Sequence, residues 1–145
     1  MITPDQKTHF NTFGFLSIKQ AVPTETFMEI AEDVDYMLEK NRDGRPFGTE
    51  AQSISPFVGQ SAILTNLVND SIAEIVTDLI GPDFIWAGSE GHATLNSIHG
   101  WHADRTSEMP EELAYTRLKI NMYLDPITAE NGALRVLPGS HQPEF

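Results

Sequence analysis

The segment "GWHADR" at positions 100–105 sets a histidine and an aspartate two residues apart. In an extended chain side chains alternate between faces, so His102 and Asp104 would project to the same side of the backbone. An imidazole and a carboxylate placed in this way can supply two of the three ligands of a 2-His-1-carboxylate triad. Such a triad holds Fe(II) and leaves coordination positions open for substrate and oxygen. The spacing alone leaves an alternative open. Among 5 histidines and 21 acidic residues a chance His-x-Asp is a fair expectation, and on an ordinary sandwich the two side chains would point apart. There is no cysteine. Thiolate sites, disulfides and cysteine nucleophiles are therefore excluded, and His, Asp and Glu remain as the strong metal ligands.

The elements that would position such a pair read as follows. In "RLKINMYLD", Leu118, Ile120, Met122 and Leu124 share one face of a strand, and Arg117, Lys119, Asn121 and Tyr123 share the other. A face that is polar and partly cationic suits the wall of a pocket for a small anion. It equally suits the solvent side of an antiparallel sheet. Around it, "DFIWAG", "HATLNSI", "AYTRLKINMYLD" and "GALRVLP" are short runs rich in β-branched and aromatic residues, and "DPITAENG" is a turn.

Upstream the pattern is helical. "TPDQKTHFNTF" predicts a short helix capped by Thr3 with Pro4 at its first position, and a strand is expected from about Gly14. "PTETFMEIAEDVDYMLEKN" carries Phe27, Ile30, Ala31, Val34, Met37 and Leu38 on one stripe, with Glu29, Glu32, Asp33 and Glu39 as a solvated face. "NRDGRPFG" is a turn-rich loop, and residues 60–70 read as helical. "SIAEIVTDLIGP" predicts a helix opened by a Ser71–Glu74 capping box and closed by Gly81-Pro82. The expected class is α+β in a single domain, 1–145, mainly helical over 1–81 and mainly strand over 82–145.

A net charge of −12 repels phosphate backbones and anionic lipid heads, so neither nucleic acid nor a membrane is an expected partner. No apolar run approaches a membrane span, and "MITPDQKTHF" lacks the apolar core of a signal peptide, so a cytoplasmic location is expected.

"WHAD", then "LKINMYLD", then "ENGALRVLPGSH" together resemble the phytanoyl-CoA dioxygenase family of Fe(II)/2-oxoglutarate oxygenases. The likeness begins at the N-terminal helix followed by "GFLSI" and is clearest from Trp101 to His141. It implies strands of a double-stranded β-helix, a jelly-roll or cupin-like barrel. It also implies hydroxylation of a small organic substrate, with Fe(II) as cofactor and 2-oxoglutarate as cosubstrate. His102 and Asp104 match the first two iron ligands. Asn121 falls on a strand position that lines the 2-oxoglutarate pocket in the family, and Asn96 is a candidate neighbour; either asparagine could instead be satisfied by local backbone. Trp101 reads as a packing wall, and His141 as a structural part of the "PGSH" turn.

For His9, His92 and His99 spacing alone does not supply the convergence that ligation demands, although His99, three residues before His102, could approach the metal from a loop. In the family, the distal iron-binding His and the Arg that clamps 2-oxoglutarate lie in strands beyond "GSHQPEF", where this sequence stops. The expectation is thus an N-terminal, truncated portion of the barrel that binds Fe(II) weakly and does not turn over. Uncovered strand edges would favour a homo-oligomer. The competing expectation is a non-catalytic metal- or ligand-binding half-barrel that self-associates or needs a partner chain.

Overall fold

The computed structural model describes residues 1–48, 51–93, 100–104 and 115–142. The chain forms two compact units, residues 1–95 with 134–145, and residues 96–133.

The first unit holds the regular secondary structure. Helix α1, Pro4–Phe13, starts where expected: Thr3 Oγ1 accepts from Gln6 N, and Gln6 Oε1 accepts from Thr3 N at 2.9 Å. These reciprocal bonds satisfy two of the donors a helix start otherwise leaves unpaired. The helix ends at Gly14, in the left-handed region at φ 79°, whose N–H donates to Phe10 O. The N-terminus is tied down by Asp78, whose carboxylate accepts from Ile2 N and whose carbonyl accepts from Lys7 Nζ.

Helix α2, Thr24–Arg42, buries Ile30, Val34, Met37 and Leu38. These are four of the six positions on the apolar stripe. Burial of each stabilises the fold by roughly 1.5–3 kcal/mol, and the core is completed by Ile54, Leu64, Leu67, Ile72 and Val76.

A second helical segment follows. Helix α3, Ala62–Leu67, runs through a π-helical stretch, Val68–Ile72, into helix α4, Ala73–Ile80. The expected capping box at Ser71 and Glu74 does not form, and α4 begins with no side-chain cap. The preceding turn already supplies acceptors: Ala73 N donates to Val68 O and Asp70 O. The capped start lies earlier, at buried Ser61, whose Oγ accepts from Leu64 N at 3.1 Å.

The sheet of the described residues has two antiparallel strands, β1, Gln52–Ile54, and β2, Gly91–Ala93, in the register Gln52↔Ala93, Ser53↔His92, Ile54↔Gly91. The ring of Phe57 lies over Gly91, where a Cβ would come within 2.9 Å of Phe57 Cγ, so only glycine fits. Ser89 fixes the approach, its Oγ accepting from both Phe57 N and Val58 N.

The mixed α+β class holds. The strands expected from Gly14, at 83–88, at 114–125 and at 132–138 carry no ladder in their described residues, which therefore do not show the double-stranded β-helix. A strand exists by exchanging hydrogen bonds with a neighbour, so alternation supplies a pattern without supplying a partner. Of "HATLNSI", His92 and Ala93 belong to β2, and the remainder, with Asn96, lies outside the described residues. Among the described residues no helix is long and apolar enough to cross a membrane.

Candidate metal centre

The second unit carries the His-x-Asp pair. Residues 100–104 are not part of a ladder, and the backbone bends at Trp101 and Asp104. The two side chains nonetheless converge: His102 Nε2 stands 3.5 Å from Asp104 Oδ1. The alternative in which they point apart is therefore not what this segment does.

Convergence comes from local anchors in place of strand pleating. His102 Nδ1 lies 2.8 Å from the carbonyl of Gly100. A carbonyl only accepts, so Nδ1 carries the proton and donates. In the neutral ring Nε2 then presents its lone pair toward Asp104. A histidine that gives its other N–H to a backbone carbonyl is the usual arrangement for a metal ligand, because that bond fixes both tautomer and ring orientation.

On the other side, Lys119 Nζ donates to Asp104 Oδ1 at 3.2 Å. All three side chains are open to solvent, His102 at 62%, Asp104 at 55% and Lys119 at 61% exposure.

This donor set fits a divalent ion. The same contact is an ion pair when the imidazole is protonated, and Lys119 already balances the carboxylate, so the geometry accommodates a divalent ion without requiring one. Donor atoms about 2.1 Å from one ion and at right angles to each other stand about 3 Å apart, so the pair needs to close by only about half an ångström. Imidazole nitrogen with carboxylate oxygen suits Fe(II) and its neighbours among the divalent transition metals. Among the described residues no group of three or more His, Asp or Glu gathers.

The other site expectations fall out as follows. Asn121 is exposed, two residues beyond Lys119, and forms no side-chain hydrogen bond with the pair among the described residues. Asn96 and His99 lie outside the described residues. Trp101 is 58% exposed.

His9 packs its ring against Phe13 and Phe15 at 4.8 and 5.2 Å between centroids, and His92 pairs with Glu90 at 3.0 Å. In the first unit, His141 Nε2 bonds to Asn11 O at 3.1 Å. Gly139 N donates to Phe13 O, so the "PGSH" turn closes on the end of α1 as a structural clasp.

Sequence reasoning missed Gly100 and Lys119 as partners of the pair. Lys119 was visible as a cation on the polar face of its run. Its meeting with Asp104 depends on how two segments 15 residues apart come together.

The "DPITAENG" connection is a compact turn. Asn131 Oδ1 accepts from Thr128 N, Asn131 Nδ2 donates to Pro126 O at 2.9 Å, and Ala133 N donates to Thr128 O at 3.0 Å. Gly132, at φ 108°, leaves the turn in a conformation that other residues avoid. Within it the carboxyl of Glu130 is held below its ordinary value, first by a hydrogen bond with the Thr128 side chain and then by its own N–H.

The profile of one protein family, described as Phytanoyl-CoA dioxygenase (PhyH), matches residues 10–145. No curated protein and no solved structure matches the chain.

Proposed function

The chain belongs to the phytanoyl-CoA dioxygenase family, and on that premise we propose that it carries the iron-binding segment of an Fe(II)- and 2-oxoglutarate-dependent oxygenase acting on a small organic substrate. One observation carries the reading: His102 Nε2 and Asp104 Oδ1 converge to 3.5 Å, with the imidazole oriented by Gly100 O. His102 and Asp104 would hold Fe(II), which when bound supplies the centre at which 2-oxoglutarate and oxygen meet to oxidise a C–H bond.

The roles of this chain's own residues follow from their chemistry. Gly100 holds the His102 tautomer that leaves Nε2 free to bind. Asp104 contributes the negative charge that lowers the cost of placing a dication at an exposed site. Lys119 balances that charge when no metal is bound. Asn121 and Asn96 are proposed as contacts to the cosubstrate, and a cytoplasmic setting is consistent with the acidic, cysteine-free composition.

The test is an anaerobic Fe(II) titration of the 145-residue chain by calorimetry, with and without 2-oxoglutarate, repeated on Asp104→Ala. Binding that depends on Asp104 and tightens with 2-oxoglutarate is the expected result. Equal binding by wild type and Asp104→Ala would sink the assignment of the ligands.

A second reading is favoured by a separate observation. Asp104 Oδ1 already has an organic cation, Lys119, and Ile120, Met122 and Tyr123 beside it are exposed. A non-catalytic metal- or ligand-binding half-barrel that pairs with a second copy or a partner chain would use both features. Succinate formation from 2-oxoglutarate by the purified chain excludes this reading; Asp104-dependent metal binding that 2-oxoglutarate does not tighten, in an oligomer, supports it.

A further inference from the structure

We propose that Lys119 is a charge-balancing latch on Asp104, which competes with a divalent metal ion for that carboxylate and then couples metal binding to a small carboxylate anion. The inference rests on the reading of His102 and Asp104 as metal ligands.

One carboxylate oxygen faces two groups at once. Asp104 Oδ1 is 3.2 Å from Lys119 Nζ and 3.5 Å from His102 Nε2. A metal ion bound between Oδ1 and Nε2 draws on the oxygen that Lys119 occupies. It also places a double positive charge close to the ammonium. Both effects oppose loading, so metal binding favours the open latch.

It can open at little cost. Lys119 is 61% exposed and its ammonium sits on a flexible four-carbon stem. The displaced ammonium remains tethered by that stem within a side chain's length of the ion. There, an anion chelating the metal offsets the repulsion and gains an ammonium partner of its own. Metal and anion then bind with positive coupling, and the coupling is reciprocal by linkage. A neutral ligand gains nothing from Lys119, so the latch selects for carboxylate-bearing ligands. Lys119 thus acts twice, on Asp104 before the metal binds and on the anion afterwards.

The experiment is a Co(II) titration followed by visible absorption, with 2-oxoglutarate as the anionic probe, on wild type, Lys119→Met, Lys119→Arg and Asp104→Ala. Far-UV circular dichroism confirms that each variant is folded. Without the anion, Lys119→Met should bind Co(II) more tightly than wild type, by up to about fivefold, the scale set by an exposed ion pair. The same variant should lose most of the tightening that 2-oxoglutarate gives wild type, whereas Lys119→Arg should keep it.

The opposed signs are the signature: a merely structural lysine would weaken binding or change nothing. If Lys119→Met matches wild type in both affinity and anion response while Asp104→Ala abolishes binding, the latch is overturned and the metal site stands. If wild type shows no Asp104-dependent Co(II) binding, both fall together.

Discussion

Replacing Gly14 with alanine tests how the "GFLSI" and "PGSH" segments are joined. Gly14 closes α1 at φ 79°, and an alanine held in this left-handed region costs about 1–2 kcal/mol. A second penalty is independent of the first. The new Cβ would run into the imidazole of His141, meeting Nδ1 in hard overlap, Cγ at 2.6 Å and Cβ at 3.0 Å. Because His141 Cβ itself is among the closest atoms, rotating the ring does not clear the space. The turn must move, straining the Gly139 N–Phe13 O bond of 2.9 Å and the His141 Nε2–Asn11 O bond of 3.1 Å.

Each such bond contributes about 0.5–1.5 kcal/mol. Gly14→Ala should therefore destabilise wild type by roughly 2–4 kcal/mol, but a His141→Gly background, which removes all three contacting atoms, by only the conformational part, roughly 1–2 kcal/mol. Urea unfolding of the four proteins, compared at constant m-value, closes the double-mutant cycle. The expected coupling is about 1–2 kcal/mol, with the double variant more stable than the sum of the single losses predicts. Additivity within about 0.5 kcal/mol would show that His141 does not sit on Gly14 and would refute the clasp.

Two further outcomes are expected. Ile30→Ala, at a side chain with 0% exposure, should cost about 2–5 kcal/mol in urea unfolding. Met28→Ala, on the exposed side of the same helix, should stay within about 0.5 kcal/mol; similar losses at both positions would contradict the placement of α2. The lowered Glu130 carboxyl makes a pH prediction with a definite sign. A folded-state value below the ordinary one means the turn's stabilisation is present above the ordinary carboxyl range and disappears as pH falls through the lowered value. An NMR titration of the Glu130 carboxyl should move back toward the ordinary value in Thr128→Val, and an unchanged curve would mean that Thr128 is not the cause.

What could be read before the structure was whatever depends on neighbours in sequence. Thr3 and Gly14 bracket α1 because capping and the left-handed turn are settled within a few residues, and the Ile30–Val34–Met37–Leu38 stripe needs only helical periodicity. Ser71 and Glu74 show where local rules stop. The pattern for a helix start is present, but a helix already running through residues 62–72 leaves it nothing to cap.

The "QSI" strand carried too short a signal to stand out, and its partner at Gly91–Ala93 is fixed by Phe57 and Ser89, residues that no alternation rule identifies. The alternating run at 117–125 failed in the opposite way, with a strong pattern and no ladder among the described residues. The His102–Asp104 pair divides along the same line. His102 and Asp104 were singled out by a spacing expected to align them on a strand. Here they converge in a bent segment anchored by the Gly100 carbonyl, so the pair was legible and its backbone geometry was not. Nor was Lys119, because its ammonium reaches Asp104 across a separation that only tertiary structure closes. The donor atoms of the site are thus a local property, whereas the charge that competes for them is a property of the fold. For that reason the metal affinity proposed for this pair should respond to substitution at Lys119, which is not one of its proposed ligands.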